Sequence, residues 1–338
     1  MKLLKARDLY HLLVIVTTKM ASCFPSPRLK ELLATTIAHT AFHLQRNKRR
    51  RAERNLSKAF DGNLSKNERQ RIVKESFCEF WEEVLSLLPS RGERRALQHI
   101  HVQGIEHLNS ALENGRGAIL WESRFGRRTL AKQALHQRGF SLHQIHHEEH
   151  LGGLFPGHGP MSWVQRHVIQ RFFDNCERQF MADIIYMPSS GSLAFTRLFL
   201  HRLKENAILC STGDGTFGQR LIPREFLGHI DPFPTGMVSL AKMSGAPILP
   251  MFCIRERGGQ TRLIIEPPIR IETDVDRERG LEDSLAQYVH LLESYIRKYP
   301  AHYRDWHFLG KSYRTWQTGM GAIQKTELRP GRGQRGHT

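Results

Sequence analysis

This sequence lacks paired cysteines. Its five, Cys23, Cys78, Cys176, Cys210 and Cys253, are odd in number and scattered, with no CxxC spacing. That argues against a disulfide framework and a thiolate metal site, and suits a reducing, cytosol-facing setting. Long apolar runs are lacking too. The most membrane-like segment, residues 9–24, is shorter than the ~20 apolar residues of a spanning helix, and Lys19 interrupts it. Lys2, Lys5 and Arg7 precede it as in a signal peptide, but no small-x-small cleavage site follows. The expectation is a helix that lies in or dips into a membrane interface. Zinc knuckles, RRM-type strand motifs and basic zippers are absent, so nucleic acid is not an expected partner. Acidic residues are scarce: 33 Asp and Glu face 50 Lys and Arg, a net charge of +17. Such an excess describes partners rather than fold. Because it clusters beside the apolar N-terminus, an anionic membrane surface is the expected one.

What is present is a chain of 338 residues, 40% hydrophobic, enough to bury one large core or two modest ones. Residues 28–44 carry Leu29, Leu32, Leu33, Ile37, Ala41 and Leu44 at helical spacing. Residues 45–54 then hold six basic side chains and one acid. Such runs are commonly solvated helix faces. Behind two apolar segments, attraction to anionic headgroups, worth ~1 kcal/mol per residue, is the sharper reading. Ser65 and Glu68 spell a capping box before a stripe of Ile72, Val73, Ser76, Phe77, Phe80, Trp81, Val84, Leu85 and Leu88 that reads as core. From about residue 100, short apolar runs (118–121, 141–145, 183–187, 206–210, 246–254, 262–266) alternate with helical patterns (105–114, 127–138, 160–178, 192–204, 235–243, 280–298). The alternation predicts an α/β domain with helices on both faces of a central sheet. The expected division is 1–54 as membrane-associating helices, 55–315 as the α/β domain, and 316–338 as a basic tail without a fold of its own.

Residues 115–130 form a Gly-rich turn, a buried strand and the start of a helix around Phe125-Gly126. The block resembles the catalytic segment of the bacterial lipid A late acyltransferases, the lauroyl/myristoyl transferases of the lysophospholipid acyltransferase superfamily. Residues 102–108, Gly213-Asp214-Gly215, 222–228, Pro234-Thr235-Gly236, 244–252 and 299–306 resemble further segments of that family in order, as do Arg54-Asn55-Leu56 and the capped helix ending in Glu-x-Leu. The resemblance implies a mixed sheet of the glycerolipid acyltransferase kind. It further implies acyl transfer from an acyl carrier protein thioester to a lipid or glycolipid hydroxyl, by a protein held peripherally or monotopically on the cytoplasmic face of the inner membrane, with no cofactor. A basic protein would steer an acidic carrier toward itself.

The same resemblance exposes a departure. The family carries a His and, after four intervening residues, an acid; here Arg124 and Thr129 occupy those positions. A guanidinium stays protonated and is no base, and Thr129 holds no imidazolium. Three readings follow. Another carboxylate, Glu122 or Asp214, serves as base, with Glu122 needing a pKa raised by burial against the pull of Arg124. Alternatively the acceptor is an amine. Or acyl transfer is lost and a lipid- or partner-binding relative remains. Arg124, Arg127 and Arg128 are expected to bind a phosphate or oxyanion, because three cations at a helix start oppose its dipole. His146, His147, Arg224, Phe226, Gly228, Thr235 and Gly236 are the other expected substrate contacts. His146-x-x-Glu149-His150 also spells an inverted zincin motif, but it follows a strand-like run, and among 19 histidines a chance cluster is expected. No metal is assigned.

Overall fold

The computed structural model describes residues 5–24, 26–148, 154–155, 161–188, 193–214, 218, 220–256, 259–271 and 277–310. Four helices come first: α1 (Ala6–Ser22), α2 (Pro27–Leu44), α3 (Arg46–Ala59) and α4 (Lys66–Ser86). Local chemistry sets their starts. Ser26 accepts from the Arg28 N–H, with Pro27 as the first helical residue of α2. At α4 the Ser65 hydroxyl accepts from Glu68 N while the Glu68 carboxylate accepts from Ser65 N, the reciprocal pair the sequence spells. The α4 stripe is buried, and with it go two acids, Glu79 and Glu83. α3 runs without a break through residue 54, and Val14, Ala34, Ala52 and Leu56 share one core with Ile119 and Trp121 of the sheet.

The α/β part follows as α5 (Arg91–Leu97), β1 (His101–Gln103), α6 (Ile105–Glu113), β2 (Ala118–Glu122), α7 (Arg128–His136) and β3 (Leu142–His147). A π turn (Gln165–Ile169) then leads into α8 (Gln170–Glu177), β4 (Asp183–Met187), α9 (Leu193–Lys204) and β5 (Ile208–Thr212). The last elements are β6 (Leu221–Phe226), β7 (His229–Pro234), α10 (Gly236–Ser244), β8 (Ile248–Arg255), β9 (Thr261–Ile265) and α11 (Arg277–Lys298). Among the described residues seven strands form one sheet in the order β1-β9-β8-β2-β5-β3-β4. The run β8-β2-β5-β3-β4 is parallel, β9 is antiparallel to β8, and β1 is parallel to β9. The sheet is therefore mixed, as expected.

Its strands send alternate side chains to opposite faces. Ile119, Trp121 and Leu209 meet α9, α10 and α11, whereas Ala118, Leu120 and Cys210 meet α5, α6 and α7. Strands β6 and β7, absent from the sequence reading, pair as a separate antiparallel hairpin. Their three prolines, Pro223, Pro232 and Pro234, disguise them, since proline removes a ladder donor and survives only where no further strand pairs. Leu227 and Gly228 turn the hairpin with φ of +51° and +72°, the two left-handed residues of a tight hairpin turn. Among the described residues no helix is long and apolar enough to cross a membrane. The expected tail at 316–338, and Glu149 and His150 of the histidine-rich run, lie outside the described residues.

Candidate active site

Backbone pairing builds the junction after β2. Glu122 stands opposite Thr212 in the β2–β5 register, and Gly213 N donates to Glu122 O at 2.7 Å. One step on, Arg124 N donates to both carboxylate oxygens of Asp214, each at 3.0 Å. Gly126 follows with φ +64°, where an added Cβ would sit 2.0 Å from the Cys253 carbonyl oxygen; only glycine fits. From the other side the chain after α11 runs back along the junction. Gly126 N donates to His302 O at 2.9 Å, Arg304 N donates to Arg124 O at 3.3 Å, and Tyr303 bridges to Phe125.

Two aspartates consequently clamp the Arg124 guanidinium. Nη1 lies 2.7 Å from Asp305 Oδ2 and Nε 3.6 Å from Asp214 Oδ1, while Nη2 donates to the main-chain oxygen of Asp214. Burial works against the charged guanidinium, but Asp305 and Asp214 outweigh it and raise its pKa further. Burial would likewise raise Asp305, yet Arg124 keeps it low. Asp214 is raised, because burial there exceeds the pull of Arg124. A third carboxylate, Asp231 of β7, joins Arg124, Asp214, Phe226 and Tyr303 around a cavity of about 20 Å³, room for about one water. Burial pushes the Asp231 carboxyl up to about 6, against the Gly310 N–H and Arg124.

Thr129, where the resemblance places the acid, is held by a carboxylate from another element. Thr129 N and Oγ1 both donate to Glu83 Oε1 at 2.9 Å, so a buried carboxylate from α4 meets the start of α7 where the threonine has none to offer.

Residues 1–315 match the family described as bacterial lipid A biosynthesis acyltransferase. The chain belongs to that family. Among its relatives are phosphatidylinositol mannoside acyltransferases of two strains of Mycobacterium tuberculosis, 24% identical over 262 residues, covering 75% of this chain and 72% of theirs. The corresponding protein of Mycolicibacterium smegmatis is 24% identical over 240 residues, covering 69% of this chain and 68% of its own.

Against that family background the remaining expected residues fall in several places. The strand ends at Glu122, whose side chain turns to the α7 face. There Lys132 Nζ lies 3.4 Å from its carboxylate, Gln144 Nε2 donates to it at 3.1 Å, and Arg128 Nη1 stands 3.9 Å away. Burial would raise this carboxyl, but Lys132, Arg128 and the Gln144 hydrogen bond outweigh it and hold it at about 2, far from the near-neutral value that suits a general base. The three arginines diverge. Arg124 faces Asp214 and Asp305, Arg127 pairs with Glu79 and Glu82 of α4, and Arg128 reaches Glu122 and Thr212. Among the described residues each guanidinium meets a different set of carboxylates. His146 Nε2 sits 2.6 Å from Glu177 Oε2, and both it and His147 are buried at the end of β3.

Arg224 pairs with Glu282 of α11 at 3.0 Å. Phe226 packs edge-on against Phe233 and Tyr303 in the wall of the Arg124 cavity. Gly228 turns the β6–β7 hairpin beside Lys58. Thr235 bonds Arg220 O and, with Gly236, opens α10. Thus Asp214 and Phe226 gather around Arg124, and Arg128 acts on Asp214 from the α7 side.

Sequence reasoning missed Asp231, Asp305, Glu83 and Lys132. Glu83 carried a readable signal, an acid on the apolar stripe of α4 inside the Glu-x-Leu element. Asp231 and Asp305 carried none, since hairpin and C-terminal segment converge on Arg124 only in three dimensions.

Proposed function

We propose that this chain transfers a fatty acyl group from an acyl carrier protein thioester to a lipid or glycolipid acceptor at the cytoplasmic face of the inner membrane, with an arginine–carboxylate centre in place of the family's His–acid pair. The observation that carries the reading is the ionic cluster of half-buried Arg124 and Asp305 with buried Asp214 and Asp231 at the carboxyl ends of parallel strands. Burying such charges is costly, and perturbed carboxylates gathered at strand ends mark functional sites in open α/β sheets. In the reaction the acceptor oxygen attacks the thioester carbonyl carbon; the C–O bond forms and the C–S bond breaks. Asp231 takes the hydroxyl proton and passes it to the leaving thiolate. Arg124, whose side chain is 27% exposed, faces the developing oxyanion, and Asp214 fixes its backbone. Glu122 and Thr129 act as supports, through Lys132 and Glu83.

Two surfaces support membrane and carrier contact. On α1, Leu9, Leu13, Val16 and Met20 are 61%, 64%, 52% and 60% exposed at one-face helical spacing, and Leu29 and Leu32 of α2 are exposed as well; an unpartnered apolar stripe suits an interfacial helix. A groove of about 670 Å³ on α3 and α4 is lined by Arg50, Arg51, Arg54 and Arg69 with a single acid, Glu53, which suits an acidic partner.

A second reading, a non-catalytic lipid-binding relative, is favoured by the clamp itself: Arg124 is engaged by two aspartates, and its cavity of about 20 Å³ admits no substrate without movement. Purified protein with acyl carrier protein thioesters and lipid acceptors separates the two. Turnover that drops ~10²-fold or more in Asp231→Asn, the ordinary range for a lost general base, supports the first. No turnover with any donor, or full activity in Asp231→Asn, removes it.

A further inference from the structure

A second cavity, of about 140 Å³, lies against the far side of Asp305. Its walls are rings: Tyr10 from α1, Phe77, Phe80 and Trp81 from α4, and Phe155. Its polar lining includes Lys48 of α3 and Arg304. Lys48 Nζ stands 5.2 Å from the Phe77 ring centre and 5.4 Å from that of Phe80. Neither cation has an ion-pair partner among the described residues, and Arg304, only 8% exposed, keeps an unbonded Nε. The one carboxylate in the wall, Asp305, is already engaged by Arg124 at 2.7 Å. Burial lowers the pKa of both cations; Asp305 opposes the fall at Lys48 while Arg304 adds to it, and at Arg304 Arg128 adds to it while Glu83, Asp305 and Asp214 oppose it. Buried charges are ordinarily matched by an opposite one. Here a buried guanidinium and a half-buried ammonium share one wall carboxylate, Asp305, that Arg124 already engages.

We propose that this chamber binds the phosphate of a phosphorylated lipid headgroup, with Lys48 and Arg304 as its counter-charges. A phosphomonoester carries close to two negative charges at neutral pH, which matches two cations, and its oxygens accept from the guanidinium and the ammonium. The size decides what part of the lipid enters. A cavity of about 150 Å³ takes a benzene-sized group, so a phosphoryl group and its first carbons fit and an acyl chain does not. The chains remain outside, where Tyr10 leads onto the exposed Leu9 and Leu13 of α1. That route distinguishes a lipid from free phosphate. The inference deepens the membrane-lipid reading above and rests on it; the headgroup would lie one carboxylate, Asp305, away from Arg124.

Isothermal titration of the full chain with monodisperse dihexanoyl phosphatidic acid tests this without requiring turnover or vesicle docking. Expected is one site per chain, with affinity at least tenfold weaker in Lys48→Gln and in Arg304→Gln, since removing one partner of a desolvated charge pair costs tenfold or more, and largely kept in Lys48→Arg. Lys48 is only partly buried, so its variants fold even if Arg304→Gln does not. Unchanged phosphatidate affinity in Lys48→Gln overturns the site. Inorganic phosphate binding as tightly as phosphatidate overturns the lipid assignment. Binding as expected without acyl transfer would sink only the catalytic reading, and acyl transfer without this binding only the chamber.

Discussion

Replacing Lys132 with methionine isolates a charge pair whose side chains are 4% and 1% exposed. The ammonium lies 3.4 Å from each oxygen of Glu122 and 2.6 Å from Gln144 Oε1. Without it, Glu122 keeps only the Gln144 N–H and a guanidinium at 3.9 Å. Breaking a buried pair from one side costs about 3–5 kcal/mol, a fall of roughly 6–20 °C in melting temperature for a domain of this size. Removing both charges, in Glu122→Gln/Lys132→Met, should recover most of the loss, because no uncompensated charge is left. The pH dependence has a definite sign. The Glu122 carboxyl falls from the ordinary 4.5 to about 2 on folding, so its contribution, of order 3 kcal/mol, is complete above about pH 4.5 and disappears as pH falls toward 2. The deficit of Lys132→Met should therefore be full at pH 7 and shrink below pH 4.5, where the orphaned carboxyl takes up a proton. Denaturant unfolding followed by circular dichroism at pH 7 and pH 4 measures this. A single variant as stable as the parent at pH 7, or a double variant no better than the single, would refute the reasoning.

Gly126→Ala should lose several kcal/mol or fail to fold, since its Cβ would come within 2.0 Å of Cys253 O at a φ of +64°; thermal scanning decides, and a melting point near that of the parent would contradict the account. Asp231 is the opposite case to Glu122. Its folded pKa is raised to about 6, so stability should decline by about 3 kcal/mol as pH rises from 4 to 6 and then level off. Asp231→Asn should flatten that limb, and a slope identical to the parent would place the titration elsewhere.

Periodicity made most of the fold legible. The α4 stripe, the all-buried β2 and the alternation after residue 100 each follow from a local pattern that burial then enforces, and the six read strands and helices recur within a few residues of their positions. Strand β1, of three residues, is too short for a period, and prolines disguised β6 and β7. The candidate site was legible only along the chain. Arg124, Asp214 and Phe226 were readable because each sits in a segment with a family counterpart. Glu122 was readable as buried, but its partner Lys132 lies ten residues on, across a turn, and nothing local says that the two side chains meet.

By itself the sequence determined the class of the protein: an α/β domain of an acyltransferase family, basic, with apolar N-terminal helices and a permanent cation, Arg124, where the resemblance implies a histidine. Only the tertiary structure decided what surrounds that cation. Three aspartates from a sheet loop, a separate hairpin and the C-terminal segment close around Arg124, and their ionisation follows from which of them burial or the guanidinium dominates. Such balances depend on distances and solvent exclusion among residues as far apart in the chain as Arg124 and Asp305, which no linear pattern encodes.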